Sequence, residues 1–289
     1  MCVRFFSIML RIAYSLLSAF AADTVFAADP LAGPRQHYEN TKYQEALAAL
    51  RDQPRDPETL LLLGKVHFGL EDFRKAQETL EEAVKAQPAS PAWHWLGKAY
   101  GRRAETASFL SAPGLASKCR QAFEKSVSLD PANTEAMSDL LEYYLEAPGF
   151  LGGGTDKAVA LAARIGLRDP AEHQFALARI AEKKKDYAAA EQHLRKAMSL
   201  HPGDIGRALD VASFLARRGR TTESDTAFQQ AAAIHAGSPK LLFAQAQALV
   251  EAKRDLGRAR QLLERYLKAA LTPGDPPRSD AVKLLKKCN

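Results

Sequence analysis

The sequence lacks most of the features that mark specialised classes of protein. Its 289 residues include three cysteines, too few for a disulfide-dense scaffold. The 40 lysine and arginine residues outnumber the 34 acidic residues by 6, a weak bias beside that of a dedicated nucleic-acid-binding arm. Long uncharged apolar runs are also missing, which excludes a polytopic membrane protein. Hydrophobic residues at 46% and charged residues at 26% are ordinary for a globular chain.

Motifs for catalysis and for metal binding are absent as well. The seven histidines contain no H-E-x-x-H pair, and no Cys-x2-Cys spacing occurs. The chain also lacks G-x-S-x-G and the glycine fingerprint of dinucleotide-binding proteins. We therefore predict no enzyme activity, no cofactor and no metal. An enzyme or cofactor protein that uses the insertion loops described below stays open as an alternative.

Residues 1–27 have the pattern of a secretory signal peptide. Arg4 and Arg11 supply positive charge, residues 12–22 are uncharged and mostly apolar, and Val25 and Ala27 occupy the −3 and −1 positions of a cleavage site. An uncleaved anchor helix is the alternative, but Arg11 interrupts a run that would need roughly 20 residues to span a bilayer. We expect a mature chain of residues 28–289 without an integral membrane span.

The rest of the sequence repeats a pattern of small and apolar residues. In each copy a small residue is followed by an apolar residue four positions on. A second small or apolar residue comes three positions after that one, and proline follows five positions further on. The four clear copies begin at Ala76, Cys119, Ala158 and Ala190, and weaker copies begin at Ser224 and Ala259. A second helical pattern precedes them, best preserved as Trp93, Leu96, Gly97 and Tyr100.

Together these patterns resemble the tetratricopeptide repeat, W-x2-L-G-x2-Y followed by A-x3-F-x2-A-x4-P. The resemblance implies an all-α, right-handed superhelical solenoid of helix-turn-helix repeats. We expect small residues such as Gly64 and Gly97 where the two helices of a repeat cross, and His67 and Cys119 in the core. The expected divisions are a signal peptide (1–27), a half-repeat (35–56), repeats 57–89, 90–133, 134–170, 171–204, 205–238 and 239–273, and a capping helix (278–288).

Repeats 2 and 3 carry insertions between their two helices. The interval from the first-helix small position to the second-helix small position is 12 residues from Gly64 to Ala76, 22 from Gly97 to Cys119, and 17 from Leu141 to Ala158. Such insertions map to loops on one face of a repeat array, often the binding face. The residues singled out in these insertion loops are Phe109, Leu110, Phe150, Leu151, Gly152, Gly153 and Gly154. Because no strand precedes these glycines, we expect a tight turn with Thr155 or Asp156 capping the next helix rather than a phosphate-binding loop.

The resemblance also implies that the first helix of each repeat lines a concave groove. Its exposed positions would carry mixed charge, which suits an extended peptide or a partner helix. The predicted groove residues are Lys65, Phe68, His94, Lys98, Arg102, Asp139, Glu142, Glu146, Arg179 and Lys183.

A basic edge is the second surface pattern. It comprises Arg103, Lys184, Lys185, Arg217, Arg218, Lys253 and Arg254. Cations at helix C-termini complement the helix dipole and need no partner. The alternative is a ridge that binds an anionic envelope surface or polymer and that is sensitive to salt.

We interpret the chain as a non-enzymatic scaffold that binds a protein or extended peptide through the groove and the insertion loops. The run from Pro148 to Ala158 is similar to one in exported bacterial tetratricopeptide proteins. With the signal peptide, this favours a periplasmic or secreted location, where nucleic acid is not an expected partner.

Overall fold

The computed structural model describes residues 29–288, so the expected signal peptide lies outside the described residues. Residues 33–289 form one compact unit, to which the following description refers. No strand occurs between residues 29 and 288, and the all-α fold class is confirmed.

Fifteen α-helices and one short 3-10 helix are described. The α-helices are α1 (Ala32–Glu39), α2 (Tyr43–Leu50), α3 (Pro57–Gly69), α4 (Phe73–Ala86), α5 (Ser90–Thr106), α6 (Ala112–Leu129), α7 (Thr134–Glu146), α8 (Thr155–Gly166), α9 (Pro170–Lys183), α10 (Tyr187–Leu200), α11 (Ile205–Arg217), α12 (Thr221–Ile234), α13 (Pro239–Glu251), α14 (Leu256–Lys268) and α15 (Arg278–Lys286). The 3-10 helix (Gly149–Leu151) lies between α7 and α8.

Consecutive helices pack as pairs, and the pairs stack into a right-handed solenoid. From α3 onward, the first helix of each repeat is α3, α5, α7, α9, α11 or α13, and the second is the helix that follows it. The segment expected to hold half a repeat contains two short helices, α1 and α2. Helix α15 packs on α14 at the other end.

Local sequence signals set the helix starts. Six aspartates at N-cap positions accept backbone N–H bonds with their side chains: Asp56, Asp72, Asp169, Asp186, Asp204 and Asp255. Such caps satisfy donors that have no partner within the helix. Proline is the first helical residue of α3, α9 and α13, a position at which its missing N–H has no cost.

The two helices of a repeat approach most closely at the predicted glycines. A Cβ atom added to Gly64 would lie 2.5 Å from the Leu80 side chain, and one added to Gly97 would lie 2.5 Å from the Phe123 ring. The predicted close crossing is therefore confirmed in repeats 1 and 2. Buried His67 and Cys119 confirm the core positions predicted for them.

Neighbouring repeats are joined by an equivalent pair of residues at two places. The Tyr100 hydroxyl donates to Glu81 of the preceding repeat at 2.6 Å, and the Tyr144 hydroxyl donates to Glu124 at 2.9 Å. Both tyrosines occupy the last position of W-x2-L-G-x2-Y. Hydrogen bonding to a carboxylate therefore reinforces the apolar contact between repeats.

First helices pack directly in three places: α3 with α5, α7 with α9, and α11 with α13. Side-chain pairs join the others, His94 with Asp139 between α5 and α7, and Arg217 with Glu182 between α9 and α11. Their side chains therefore form a continuous inner surface on the solenoid.

The repeat 2 insertion is mostly helical. Helices α5 and α6 have 17 and 18 residues, against 13 and 14 in α3 and α4. The added turns form a hairpin whose tip contains Phe109 and Leu110. None of the helices described between residues 29 and 288 is both long enough and apolar enough to cross a membrane.

Candidate partner-binding surfaces

An aromatic cluster lies where the inner surface begins. We define it as Phe68 of α3, Phe73 of α4 and Trp95 of α5. The Phe68 ring centroid is 5.2 Å from that of Phe73 and 5.3 Å from that of Trp95, with edge-to-face geometry in both pairs. All three side chains are only partly buried, so the cluster presents ring surface to a ligand.

Cations surround this aromatic cluster. The ammonium groups of Lys65 and Lys98 lie 5.3 and 4.7 Å from the Trp95 centroid, and the Arg102 guanidinium lies 5.0 Å from the Phe73 centroid. Burial lowers the pKa of Lys65, and the Lys98 charge adds to that effect, whereas Glu39 and Glu135 oppose it. The cluster can therefore receive apolar groups together with anionic ones.

His94 is the one predicted groove residue for which the expected exposure is wrong. It is 3% exposed, because its ring packs beside Phe123, with the centroids 5.8 Å apart. Its Nε2 atom lies 2.7 Å from Asp139 of α7. His94 therefore fixes Asp139 at the groove surface and does not offer its own ring to a ligand. Lys98 approaches the same Oδ2 atom of Asp139, with a nitrogen–oxygen distance of 3.9 Å.

Acidic and basic groups pair across the next first helices. Arg179 of α9 donates to both carboxylate oxygens of Glu142 of α7, at 2.8 and 2.9 Å, and to Glu182 at 2.8 Å. Arg217 of α11 donates to Glu182 at 2.9 Å. Burial opposes ionisation of Glu182, but Arg217 and Arg179 together outweigh it and lower the pKa of this carboxyl.

Glu146 and Lys183 complete this part of the groove. Their charged atoms are 3.6 Å apart, and Glu146 also lies 4.0 Å from Arg179. The structure thus brings together the predicted residues of α7 and α9. It joins them to Glu182 and Arg217, neither of which had been assigned to the groove.

A further network in the groove was missed by the sequence analysis. Arg207 of α11 pairs with Glu172 of α9 and with Asp210, and the Ser138 hydroxyl donates to Glu172 at 2.6 Å. Burial raises the pKa of Asp210 to about 6, against the opposing charge of Arg207. Ser138, Glu172 and Arg207 lie 34 and 35 residues apart. That spacing is about one repeat, and it is the signal that could have identified them as neighbours.

The insertion tips expose apolar side chains. Phe109 is 88% exposed, Leu110 is 87% exposed and Phe150 is 83% exposed. Exposed apolar groups of this size on adjacent repeats are typical of interaction surfaces.

The glycines of the repeat 3 insertion shape a tight turn. Gly152 has φ +88°, and a Cβ atom on Gly153 would lie 1.8 Å from the Ala147 carbonyl oxygen. The cap expected from Thr155 or Asp156 is wrong, because Gly154 is the N-cap residue and no side chain caps α8. The Tyr143 hydroxyl instead holds the turn by donating to the Leu151 carbonyl at 3.0 Å.

Most guanidinium groups of the basic edge are engaged within the protein. Arg103 donates to Gln77, and Arg254 makes two bonds to Asp225 at 2.7 and 2.8 Å. The Arg218 guanidinium lies 4.0 Å from the Tyr187 ring centroid. Among residues 29–288, the three lysines of the edge have neither an ion pair, a side-chain hydrogen bond nor a ring contact: Lys184, Lys185 and Lys253. The edge therefore joins repeats more than it offers free charge.

The two described thiols, Cys119 and Cys288, are not accessible for reaction. Cys119 and Cys288 are free and buried, and burial raises the pKa of the Cys119 thiol to about 12. Cys288, just past the end of α15, is buried in the apolar cluster of the last repeat. Among residues 29–288, no group of three His, Cys, Asp or Glu side chains could hold a metal ion.

Comparison with known sequences places tetratricopeptide repeats in both halves of the chain. Two profiles of this repeat match residues 37–98 and 152–205. A curated relative is cellulose synthase operon protein C of Xanthomonas axonopodis pv. citri, 27% identical over 275 residues. The match covers 80% of this chain but only 18% of that protein, so the chain spans less than a fifth of its length.

Solved structures share the fold. TTC0263, a thermophilic TPR protein of Thermus thermophilus, aligns with a TM-score of 0.54 and 23% identity, over 64% of this chain and 97% of that one. A tetratricopeptide repeat protein of Parabacteroides merdae aligns with a TM-score of 0.59 and 12% identity, over 90% of this chain and 97% of that one. With the helix pairs and the glycine crossings, these alignments show that the chain has the solenoid fold of tetratricopeptide repeats, and the two profiles match the repeat itself in residues 37–98 and 152–205.

Proposed function

We propose that this protein is a scaffold that binds an extended segment of a partner protein along the inner surface of the solenoid. The observation that carries the proposal is the order of groups on that surface. The aromatic cluster with its cations comes first, and paired charges of both signs follow from α7 to α11. An extended chain can contact one such position per repeat, with apolar side chains at one end and charged ones along the rest.

The alternating charges favour recognition over raw affinity. Asp139, Glu142 and Arg179 already have partners within the protein, and they retain between a quarter and two-fifths of their side-chain exposure. A ligand whose charge has the same sign as the protein group it meets would be repelled, and this repulsion is how charged surfaces reject incorrect partners.

Site-specific photo-crosslinking tests the proposal. A photoreactive amino acid would replace Lys98 or Lys183 on the inner surface. Lys125 of α6, an exposed second-helix position, is the matched control. We expect the same partner to be captured at both inner positions and not at Lys125. Capture at Lys125 alone, or with equal yield at all three positions, would contradict binding along the groove.

The hairpin tips are a second candidate surface, favoured by the exposure of Phe109, Leu110 and Phe150. We propose that they contact a flat apolar patch on the same partner. Phe109→Ser with Leu110→Ser should reduce partner capture at least tenfold while leaving stability unchanged. Leu167→Ser is the control, because Leu167 is 85% exposed at the end of α8 and away from the tips. Equal capture by the tip variant and the parent would exclude the tips.

We further propose that the protein acts outside the cytoplasm. The pattern of residues 1–27 supports this proposal. Fractionation of cells that express the full chain, with N-terminal sequencing of the product, tests it. Recovery of an uncleaved chain would contradict it.

A further inference from the structure

The loop between α14 and α15, together with the first residues of α15, contacts the first helix pairs. We define the closing segment as residues 271–279. Arg278 donates to the Thr41 hydroxyl at 3.4 Å, and the Ser279 hydroxyl donates to the Glu71 carboxylate. Thr41 and Glu71 both lie in turns between paired helices, with φ of 54° and 60°. The two ends of the superhelix therefore meet, across more than 200 residues of sequence.

The closing segment is built as a preformed loop on the last repeat. The Asp275 carboxylate accepts hydrogen bonds from the Thr272 backbone N–H at 2.8 Å and from its hydroxyl at 2.9 Å. The buried Tyr266 donates its hydroxyl proton to the Pro276 carbonyl, and Arg278 donates to the Ala269 carbonyl at 2.9 Å. The loop is thus anchored at its base, while its attachment to the first repeats uses a few polar contacts.

The closing segment does not fill the surface that it covers. A cleft of about 430 Å³ is lined by Phe68 and Phe73 of the first repeat together with Leu271, Pro273 and Pro276 of the closing segment. Arg102 lines the cleft with its guanidinium over the Phe73 ring. A segment serving only as a seal would be expected to pack at the density of a protein interior. The open volume instead indicates that the closing segment fills the site only in part, so that a segment with a better fit can displace it.

The chemistry of the closing segment indicates what else fits. Proline is already restricted to an extended backbone, lacks an N–H group that would need a partner, and packs on aromatic rings. Aromatic-lined grooves use these properties to bind proline-containing peptides. Three of the nine residues from 271 to 279 are proline, and all three line the cleft together with Phe68 and Phe73 of the aromatic cluster.

We propose that the aromatic cluster binds an extended, proline-containing segment of the partner, and that the closing segment is a tethered competitor for the same place. This inference rests on the proposed binding function, to which it adds the class of ligand and the end of the groove that receives it. Because a tethered competitor lowers the fraction of open sites, loosening it raises the apparent affinity for a free ligand.

The test uses a fluorescent peptide with the sequence of residues 270–279 and the full chain. Peptide binding is measured by anisotropy for the parent, for Arg278→Ala with Ser279→Ala, and for Lys286→Ala as the control on the same helix. We expect the double variant to bind the peptide at least tenfold more tightly than the parent, and the control to match the parent. Phe73→Ala added to the double variant should abolish binding, and a peptide with alanine in place of its three prolines should bind at least tenfold more weakly.

Two results would overturn the inference: a double variant no tighter than the parent, or equal binding of the alanine peptide. Circular dichroism of each variant checks that the solenoid is intact, and Glu71→Ala loosens the same contact from the other side if the double variant does not fold. Photo-crosslinking of the native partner uses the parent chain and a different readout. Loss of peptide binding with crosslinking retained would therefore reject the closing segment as a competitor and leave the groove function standing.

Discussion

The first half of the solenoid is packed differently from the second. From Leu60 to Ile180 the buried side chains form one continuous cluster, which includes Met137 and Leu141. Beyond it the described core includes smaller clusters, which contain Phe214, Phe228 and Tyr266 respectively. Side chains that reach across repeats thus join repeats 1 to 3 and the first helix of repeat 4 in one cluster, whereas each of these later clusters spans only about three consecutive helices.

The loss of aromatic anchors accounts for this difference. Tyr100 and Tyr144 reach the preceding repeat in the first half, and the equivalent positions of repeats 4 to 6 have no aromatic residue. In those repeats, ion pairs near the turns connect neighbouring repeats instead, as between Arg254 and Asp225. Since exposed ion pairs contribute little, coupling between repeats should be weaker in the second half.

The largest expected effect comes from truncating one core side chain in each half. Phe228→Ala should cost about 3–5 kcal/mol, and Met137→Ala should cost about 2–5 kcal/mol. Hydrogen exchange should rise only in α11 to α13 for Phe228→Ala, because that cluster is local, and across repeats 1 to 4 for Met137→Ala. Exchange that rises over the whole chain in both variants would mean that the solenoid unfolds as one unit.

A smaller effect is expected from filling a helix crossing in the first half. Gly97→Leu should cost about 3 kcal/mol, because its side chain meets the Phe123 ring. Gly114→Leu is the matched control, since a Cβ atom on Gly114 meets nothing within 4 Å. Urea unfolding measures both. A Gly97→Leu midpoint equal to that of the control would contradict the close crossing.

The smallest expected effects are changes in stability with pH at two carboxyl groups near the boundary between the halves, Glu182 and Asp210. The two changes have opposite signs. The folded pKa of Glu182 is lowered, so its stabilisation is present above the unfolded pKa near 4.5 and is lost as pH falls through the folded value. Glu182→Gln should therefore be less stable than the parent at pH 7, and this gap should narrow at pH 3.

Asp210 behaves in the opposite way. Its folded pKa of about 6 exceeds the ordinary 3.8, so ionisation destabilises the fold increasingly as pH rises from 4 to 6. Asp210→Asn should gain about 1 kcal/mol or less over the parent between pH 4 and pH 7. Thermal unfolding at pH 3 and pH 7 checks Glu182→Gln, and thermal unfolding at pH 4 and pH 7 checks Asp210→Asn. A gain that shrinks as pH rises would show that the Arg207 pair dominates over burial.

Much of the fold was predictable because the repeat signals are local. Gly64, Gly97 and the prolines after the second helices act on their immediate neighbours, so their spacing alone gave the helix pairs. The candidate site was less predictable. Exposure of His94 was wrongly expected because its burial is set by Phe123 and by Asp139, which is 45 residues away in the next repeat. The Arg207 network was missed for the same reason.

The sequence by itself determined the helix-turn-helix repeats, the positions of the insertions and the absence of recognised catalytic motifs, because each depends on spacing within one repeat. Only the tertiary structure decided which groove charges pair, that the repeat 2 insertion lengthens two helices, and that the closing segment reaches Thr41 and Glu71. The groove pairs and the contact of the closing segment depend on the rotation from one repeat to the next, whereas the longer helices depend on packing within repeat 2. That rotation accumulates over the whole solenoid and is set by packing between repeats, for which no single segment of sequence carries a signal.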